Sequence, residues 1–214
     1  MKKIIGITGL QGSGKDTVGD IICKEYDNFY KDSFANVLKD AASILFSWDR
    51  KMLAGQTPED RAKREEKDEF WSSELGCDWT PRKALQILGT ELFRNHLHKD
   101  FWVIALKRRL MTQNQNVVIC DCRFPNEVNM IKSLGGIIIR VERNIPDWFR
   151  KVESLVKNGC TQEEVLIQVE ELKDVHASEW MWIGHDNPDI ILTNDKTIKD
   201  LAIQLQQKLP TNGI

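Results

Sequence analysis

The chain has 214 residues, of which 41% are hydrophobic and 29% charged, and its formal net charge at pH 7 is −2. These values fit one well-filled globular domain with room for a helical appendage. The small net charge excludes a general electrostatic attraction to nucleic acid or to an anionic membrane surface. Binding of phosphate would therefore depend on a few placed basic groups.

The cysteines and the first residues predict a reducing, cytoplasmic compartment. There are five cysteines at wide spacing, and only Cys120 and Cys122 lie close together. This pattern favours free thiols over a disulfide framework or a zinc site. The run IIGITGL is short and broken by glycine, so it does not resemble a signal peptide, and no apolar run is long enough to cross a bilayer.

Apolar runs alternate with helical patterns along the chain. The β-branched run Ile4–Thr8 predicts a strand buried on both faces, and a helix with an apolar inner face follows it (Val18, Ile21, Ile22 and Tyr26). Three later runs predict further strands: Asn116–Asp121, Gly136–Arg143 and Asp189–Asp195. A helix from Pro125 to Gly135 and a terminal helix (Ile198, Leu201, Ala202 and Leu205 at helical spacing) complete the alternation. The fold class is α/β, with a mainly parallel sheet flanked by helices.

Two stretches depart from this alternation and are predicted to be helical excursions that cover substrate. Residues 50–80 contain the charge run Glu59–Glu69, which is most simply a solvated helix face. Residues 144–185 contain Thr161 with Glu164 three positions later, the signature of a capping box.

The first strand leads into a glycine-rich loop, GLQGSGKDT. Gly9 and Gly14 let the backbone turn tightly, so successive N–H groups point inward at anionic oxygens, and the start of the helix adds its positive end. Lys15 supplies an ammonium for the β- and γ-phosphates of a nucleotide. The alternative is a glycine-rich turn with an exposed lysine. The predicted nucleotide-binding residues are Gly9, Gln11, Gly12, Ser13, Gly14, Lys15, Asp16 and Thr17.

Asp16 stands where such loops normally carry Ser or Thr. A carboxylate beside phosphate is repelled unless a cation lies between them, so Asp16 predicts a Mg²⁺ contact, direct or through water. Two alternatives remain open: Asp16 complements the helix dipole, or Thr17 provides the metal ligand in its place.

Asp121 and Arg123 follow a predicted strand and therefore face the ligand edge of the sheet. Asp121 is a second candidate for the same metal, and its alternative role is to cap the turn before Pro125. Arg123 is predicted to contact phosphate, or else to pair with Asp121 or Glu127.

With these residues placed, the chain resembles the deoxynucleoside monophosphate kinases of phages and large DNA viruses, a branch of the P-loop kinases. The likeness is carried by GSGKDT, SFANVLKD, PRKALQILGTELFRN with KDFWV, DCRFPNEVNMIKSLGG with IIIRVERN, and later HASE and ILTND. It implies a nucleoside-monophosphate-kinase-like fold over residues 1–214 as one domain, with an acceptor-side excursion at 50–80 and a lid or insert at 144–185. Residues 145–174 are longer than the family's usual lid.

Thr80 and Pro81 are a good helix opening, with the threonine as cap and the proline in the first turn. Beyond them Leu85, Leu88 and Leu92 form one stripe, which is predicted to pack on the sheet.

A second stripe of the same helix is predicted to bind the acceptor nucleotide. Arg82 offers a bidentate fork for a phosphate, Gln86 a hydrogen bond for a base edge, and Gly89 space for a flat group, with Phe93 on the same face. The alternative is an ordinary solvated face, and the resemblance favours the binding role.

The resemblance also implies roles for residues that the sequence pattern alone leaves undefined. Lys39 is implied as a contact of the acceptor phosphate or of the transition state, and Ser33 and Phe34 lie near the sugar and base. Trp102 either stacks on the nucleobase or belongs to the core.

Arg143 resembles the family's arginine at the base of the lid, which contacts ATP, whereas Arg140 has the alternative of a charge at the sheet edge. In HASE, His176, Ser178 and Glu179 are predicted to form a hydrogen-bonded corner behind the site. A covalent mechanism is rejected, because phosphoryl transfer between nucleotides needs positioning and charge neutralisation.

The sequence therefore predicts an enzyme that transfers the γ-phosphoryl group of ATP to a deoxynucleoside 5′-monophosphate, with Mg²⁺ as cofactor. The catalytic residues are predicted to be Lys15, Asp16, Lys39, Arg82, Asp121 and Arg123. The expected location is the host cytoplasm if the source is a virus, and the choice between monomer and homodimer stays open. Alternatives are another small-molecule kinase, acting on dephospho-coenzyme A or phosphomevalonate, or a nucleotide-gated binding module.

Overall fold

The computed structural model describes residues 2–209, which divide into two compact units. The sheet unit consists of residues 2–33 and 112–209, and the helical unit consists of residues 34–111. Among residues 2–209, no helix combines the length and the apolar character that a membrane span requires.

The sheet unit is built on five strands in the order β2-β3-β1-β4-β5, and every neighbouring pair is parallel. The strands are β1 Ile4–Thr8, β2 Phe29–Asp32, β3 Asn116–Ile119, β4 Ile137–Glu142 and β5 Ile190–Thr193. The predicted parallel α/β sheet is therefore confirmed. The apolar pattern did not indicate β2, because this edge strand is short and exposes Lys31.

Twelve α-helices lie within residues 2–209, in agreement with the helical excursions predicted around residues 50–80 and 144–185. They are α1 Lys15–Glu25, α2 Phe34–Phe46, α3 Arg50–Ala54, α4 Pro58–Glu65, α5 Glu69–Leu75, α6 Pro81–Gln86, α7 Phe101–Thr112, α8 Pro125–Ser133, α9 Asp147–Lys157, α10 Gln162–Gln168, α11 Ala177–Trp180 and α12 Ile198–Lys208. A π-helix spans Ile87–Leu97 and a 3₁₀-helix spans Glu170–Asp174.

The core of the sheet unit lies where α1 and α12 cover the central strands. Ile5 and Ile7 of β1 pack in one cluster with apolar residues of both helices, which include Val18, Ile22, Leu201 and Leu205. The predicted inner face of α1 is buried throughout. The terminal helix forms as predicted, but Ile198 at its first position is exposed.

Residues 145–183 form a second apolar cluster, and one residue of the glycine-rich loop packs against it. The buried members are Phe149, Val152, Val165, Val169, Leu172, Trp180, Trp182 and Ile183, and Leu10 packs against them. The capping box predicted at the start of α10 is present, since the Thr161 N–H donates to Glu164 Oε2 at 2.7 Å. The predicted insert is thus a packed part of the sheet unit, and its role as a lid remains a prediction.

A buried charge network lies under the end of β1. Arg140 of β4 is 1% exposed and donates to both carboxylate oxygens of Asp186, at 2.7 and 2.5 Å, and to Glu153 Oε1 at 2.6 Å. Thr8 Oγ1 donates to Asp186 Oδ2 at 2.9 Å. Arg140 is therefore not a charge at the edge of the sheet, because it is buried. Its carboxylate partners compensate for the burial of the guanidinium charge.

In the helical unit, α6 opens as predicted: Thr80 Oγ1 accepts from the Lys83 N–H. The predicted packing of the leucine stripe on the sheet is wrong. Leu85 and Leu88 pack with apolar residues of α2 and α3, and Leu92 is 49% exposed. The 3.6-residue spacing behind that prediction ends at Ile87, where the chain turns π-helical.

Candidate active site

The glycine-rich loop joins β1 to α1 with backbone conformations that only glycine adopts readily. Gly9, Gly12 and Gly14 have φ angles of +149°, +77° and +99°. A Cβ atom at Gly9 would lie 2.5 Å from the Val141 carbonyl oxygen, so a side chain cannot be placed there. The loop is therefore pressed against β4.

Lys15 is almost completely buried inside this loop. Its Nζ donates to the carbonyl oxygens of Gly9 and Leu10, at 2.7 and 2.8 Å. Burial and, to a smaller extent, the nearby positive charge of Arg123 lower the pKa of Lys15 to about 8, and the negative charge of Glu179 opposes this shift. The site therefore disfavours its own positive charge until an anion arrives.

Ser13 adds an unsatisfied polar group to the same loop. Its side chain is 1% exposed, and its Oγ has no hydrogen-bond partner among residues 2–209. Because a buried hydroxyl without a partner costs about 1–3 kcal/mol, this atom also favours a polar ligand in the loop.

Arg123 is held beside the loop by the predicted HASE corner. Its Nη1 donates to Glu179 Oε1 at 2.5 Å and to Ser178 Oγ at 3.2 Å, and the other oxygen of Glu179 accepts from the Gln11 N–H at 2.7 Å. His176 Nδ1 lies 2.9 Å from Ser178 Oγ. Glu179 thus bridges the loop and the guanidinium, a role that the sequence left unassigned. Within the described part of the chain, Arg123 Nε and Nη2 make no hydrogen bond.

Glu127 is a site residue that the sequence analysis mentioned only as a charge partner. Its carboxylate is buried and accepts from the backbone N–H groups of Arg123 and Phe124, at 2.7 and 3.1 Å. It therefore shapes the backbone after β3, while the Arg123 side chain pairs with Glu179. The alternative ion pair between Arg123 and Glu127 is wrong. A glutamate in the first turn after Pro125 is the signal that could have indicated this cap.

Asp16 lies in the first turn of α1, with 83% of its side chain exposed, and its Oδ1 is 3.3 Å from Lys31 Nζ. Thr17 is next along the helix and half-buried, and Asp121 follows β3. Mg²⁺ prefers oxygen ligands, such as those of carboxylate and hydroxyl groups. Because the Asp16 side chain is exposed, a water molecule could lie between its carboxylate and the ion. Within residues 2–209, no group of three or more His, Cys, Asp or Glu residues is arranged to hold a metal by itself.

Arg143 is exposed just after β4. At the other boundary of the sheet unit, the Ser33 N–H donates to Asp32 Oδ1 at 2.8 Å. Their nucleotide contacts stay predictions.

In the helical unit, the two predicted acceptor cations take part in polar contacts. Arg82 is 52% exposed, and its Nε lies 3.4 Å from Glu65 Oε1. Lys39 Nζ donates to the Ala54 carbonyl oxygen at 3.4 Å. Gln86 is exposed at the end of α6, whereas Phe34 is buried at the start of α2.

Packing bears on two of the predicted substrate contacts. Trp102 is 4% exposed, lies among the rings of Phe93 and Phe101, and donates from Nε1 to the Gly89 carbonyl oxygen at 2.8 Å. It is a core residue. A Cβ atom at Gly89 would lie 2.9 Å from Leu38 Cδ2, and the predicted contact of Gly89 with the substrate stays a prediction.

Comparison with known proteins identifies the family. The sequence model of the deoxynucleotide monophosphate kinase family matches residues 50–152. A provisionally named deoxynucleotide monophosphate kinase of Acanthamoeba polyphaga mimivirus is 32% identical over 214 residues, which cover 94% of this chain and 93% of that protein. The deoxynucleoside-5′-monophosphate kinase of Escherichia phage T5 is 28% identical over 194 residues, which cover 64% of this chain and 74% of the phage protein.

Among solved structures, shikimate kinase from Aquifex aeolicus has a TM-score of 0.49 and 15% identity, covering 99% of this chain and 98% of that chain. Dephospho-CoA kinase from Campylobacter jejuni has a TM-score of 0.47 and 14% identity over the full length of both chains. The family assignment does not depend on these two structures. On its 32% identity to the mimivirus protein along nearly the whole of both sequences, the chain belongs to the deoxynucleotide monophosphate kinase family.

Proposed function

We propose that this chain transfers the γ-phosphoryl group of ATP to the 5′-phosphate of a deoxynucleoside monophosphate, as a single P-loop kinase domain in the cytoplasm, which is that of the host if the source is a virus. The observation that carries the proposal is the pair of cations at the glycine-rich loop. Lys15 is buried there next to Arg123, and a polyphosphate is the anion whose oxygens suit loop amides, an ammonium and a guanidinium together. The family of the chain supplies the acceptor class.

On the donor side, Lys15 and the amides of residues 9–17 bind the β- and γ-phosphates. Lys15 exchanges its two carbonyl partners for phosphate oxygens, and the free edge of Arg123 contacts the phosphoryl group in transfer. Ser13 Oγ gains the partner that it lacks, and Arg143 contacts the nucleotide beyond the loop. These groups neutralise charge that develops during transfer, and removing one such donor from an enzyme site costs about 2.7–4 kcal/mol.

Asp16 and Asp121 are the residues that would hold Mg²⁺, with Thr17 as an alternative ligand to Asp16. The ion would supply neutralisation of the β- and γ-phosphate charge. The Asp16 carboxylate pairs with Lys31 Nζ at 3.3 Å, and 83% of the Asp16 side chain stays exposed and accessible to an ion.

On the acceptor side, Arg82 and Lys39 bind the 5′-phosphate, Gln86 hydrogen-bonds the base, and Ser33 and Phe34 lie near the sugar. Arg82 keeps about half of its side chain exposed while it pairs with Glu65, so its fork remains accessible to a phosphate.

The direct test incubates the purified protein with Mg·ATP and each deoxy- or ribonucleoside monophosphate in turn, with chromatographic detection of diphosphates. We expect a diphosphate from at least one deoxynucleoside monophosphate, and no ATP consumption without an acceptor. Lys15→Ala and Arg82→Ala should each lower turnover at least 100-fold, whereas Lys24→Ala, an exposed lysine on the same helix as Lys15, should not. ATP hydrolysis that is independent of every monophosphate would contradict the proposal.

A second prediction concerns the metal. Asp16→Ala should weaken binding of Mg·ATP by at least tenfold more than it weakens binding of metal-free ATP, because the lost contact is made to the ion. Titration calorimetry with and without Mg²⁺ measures both affinities. Asp20→Ala is the matched control, since it removes the 2.9 Å partner of Lys31 and leaves Asp16 in place. Equal losses for the two forms of ATP would rule out the metal contact.

A third prediction follows from the lowered pKa of Lys15, which is about 8 in the free protein. Bound phosphate favours the charged ammonium, so ATP binding takes up a proton once the free lysine has lost it. The affinity of the wild type for ATP should be constant up to about pH 8. Above that pH it should decrease, with a slope that approaches tenfold per pH unit. Between pH 7.5 and 9.5 the phosphates are fully ionised, and binding to Lys15→Met should vary little with pH in this interval. An affinity of the wild type that is flat to pH 9.5 would refute the assignment.

A further inference from the structure

A turn in the helical unit, at residues 54–56, collects basic side chains from two helices. Lys39 Nζ donates to the Ala54 carbonyl oxygen at 3.4 Å, and Arg61 Nη1 donates to the carbonyl oxygens of Gly55 and Gln56, at 3.2 and 3.1 Å. Arg64 covers the same turn: a Cβ atom at Gly55 would lie 2.5 Å from its Cζ. Lys39, Arg61 and Arg64 therefore converge on one short piece of backbone.

Gly55 makes this convergence sterically possible. It ends α3 in the left-handed conformation, with φ +66°. A side chain at this position would meet three atoms of the Arg64 guanidinium within 2.8 Å. The planar group can lie flat on the turn only because glycine occupies it.

Arg64 differs from an ordinary surface arginine because one of its hydrogen-bond donors is buried without an acceptor. Its Nε is buried and has no hydrogen-bond partner among residues 2–209, although Arg61 on the same helix uses two carbonyl groups. A buried donor without a partner costs about 1–3 kcal/mol. A phosphate oxygen would supply the hydrogen-bond acceptor that Arg64 Nε lacks.

The charges around Arg64 are also unbalanced. Burial lowers the pKa of Arg64, and the positive charge of Arg82 lowers it further, with Glu65 opposing. Arg61 adds a further positive charge near Arg64, and Asp60 a further negative one. Glu65 also lies 3.4 Å from Arg82 Nε. Three guanidinium groups therefore share two carboxylates. An added dianion would relieve this repulsion and satisfy the free donor together.

We propose that Arg64 is a ligand of the acceptor's 5′-phosphate and that it completes, with Lys39 and Arg82, a subsite for a phosphomonoester dianion on the helical unit. The inference rests on the proposed function, and it extends the acceptor site to a residue of the charge run Glu59–Glu69. A planar guanidinium with a free N–H is suited to bind phosphate through two oxygens, and an ammonium beside it adds charge without fixing direction.

The test compares the full-length wild type with Arg64→Gln and Arg64→Lys by titration calorimetry and steady-state kinetics. Lys63→Gln is the matched control, because Lys63 is exposed on the same helix. For the preferred deoxynucleoside monophosphate, we expect Arg64→Gln to weaken binding and raise KM by about 10–100-fold, and Arg64→Lys to have a smaller effect. Affinity for ATP, and for the deoxynucleoside without its phosphate, should stay within twofold of the wild type.

Monophosphate binding by Arg64→Gln within twofold of the wild type would overturn the inference, as would an equal loss of affinity for ATP. Melting temperatures measured by circular dichroism verify that each variant is folded, and Arg64→Lys keeps the test available if Arg64→Gln is unstable. Failure of the proposed function looks different. In that case the wild type forms no diphosphate from any deoxynucleoside monophosphate, whatever Arg64→Gln does to binding.

Discussion

The structure depends on how one ammonium is held. Lys15 lies inside a glycine-rich loop, where, among residues 2–209, two backbone carbonyl groups are its only hydrogen-bond partners and Arg123 lies close by. Within the same range, Arg123 is paired with Glu179, whereas the buried Ser13 hydroxyl has no hydrogen-bond partner. The rest of the sheet unit holds the loop in place, and an anion with several oxygens would provide partners for Lys15, Ser13 and the free edge of Arg123 together.

Three contacts from outside the loop provide that support, and residues 145–186 contribute to each. Leu10 packs into the apolar cluster of this segment, the Gln11 amide is bound by Glu179, and Thr8 is bound by Asp186 within the Arg140 network. Residues 145–186, which include the predicted insert at 145–174, therefore support the glycine-rich loop. Glu179 carries the further task of orienting Arg123.

The sequence predicted the features that depend on local patterns, namely four of the five strands, the glycine loop, the caps at Thr80 and Thr161 and the HASE corner. Where tertiary packing decides, the sequence left the choice open, as at Trp102, or gave a wrong prediction, as for the leucine stripe of α6. The sequence pattern around an aromatic residue such as Trp102 is the same whether the ring packs in a core or stacks on a nucleobase. The leucine stripe that begins in α6 loses its helical spacing at Ile87, where the chain becomes π-helical. Arg64 was hidden in a charge run, because only the fold shows that its Nε is buried over Gly55.

A crystal structure with bound ATP tests the central claim most directly, through the position of the Lys15 ammonium. The account predicts that Nζ leaves the Gly9 and Leu10 carbonyl oxygens, now 2.7 and 2.8 Å away, and lies within hydrogen-bond distance of the β- or γ-phosphate, with the free edge of Arg123 on the same polyphosphate. A nucleotide bound elsewhere, with Lys15 still on both carbonyl groups, would contradict it.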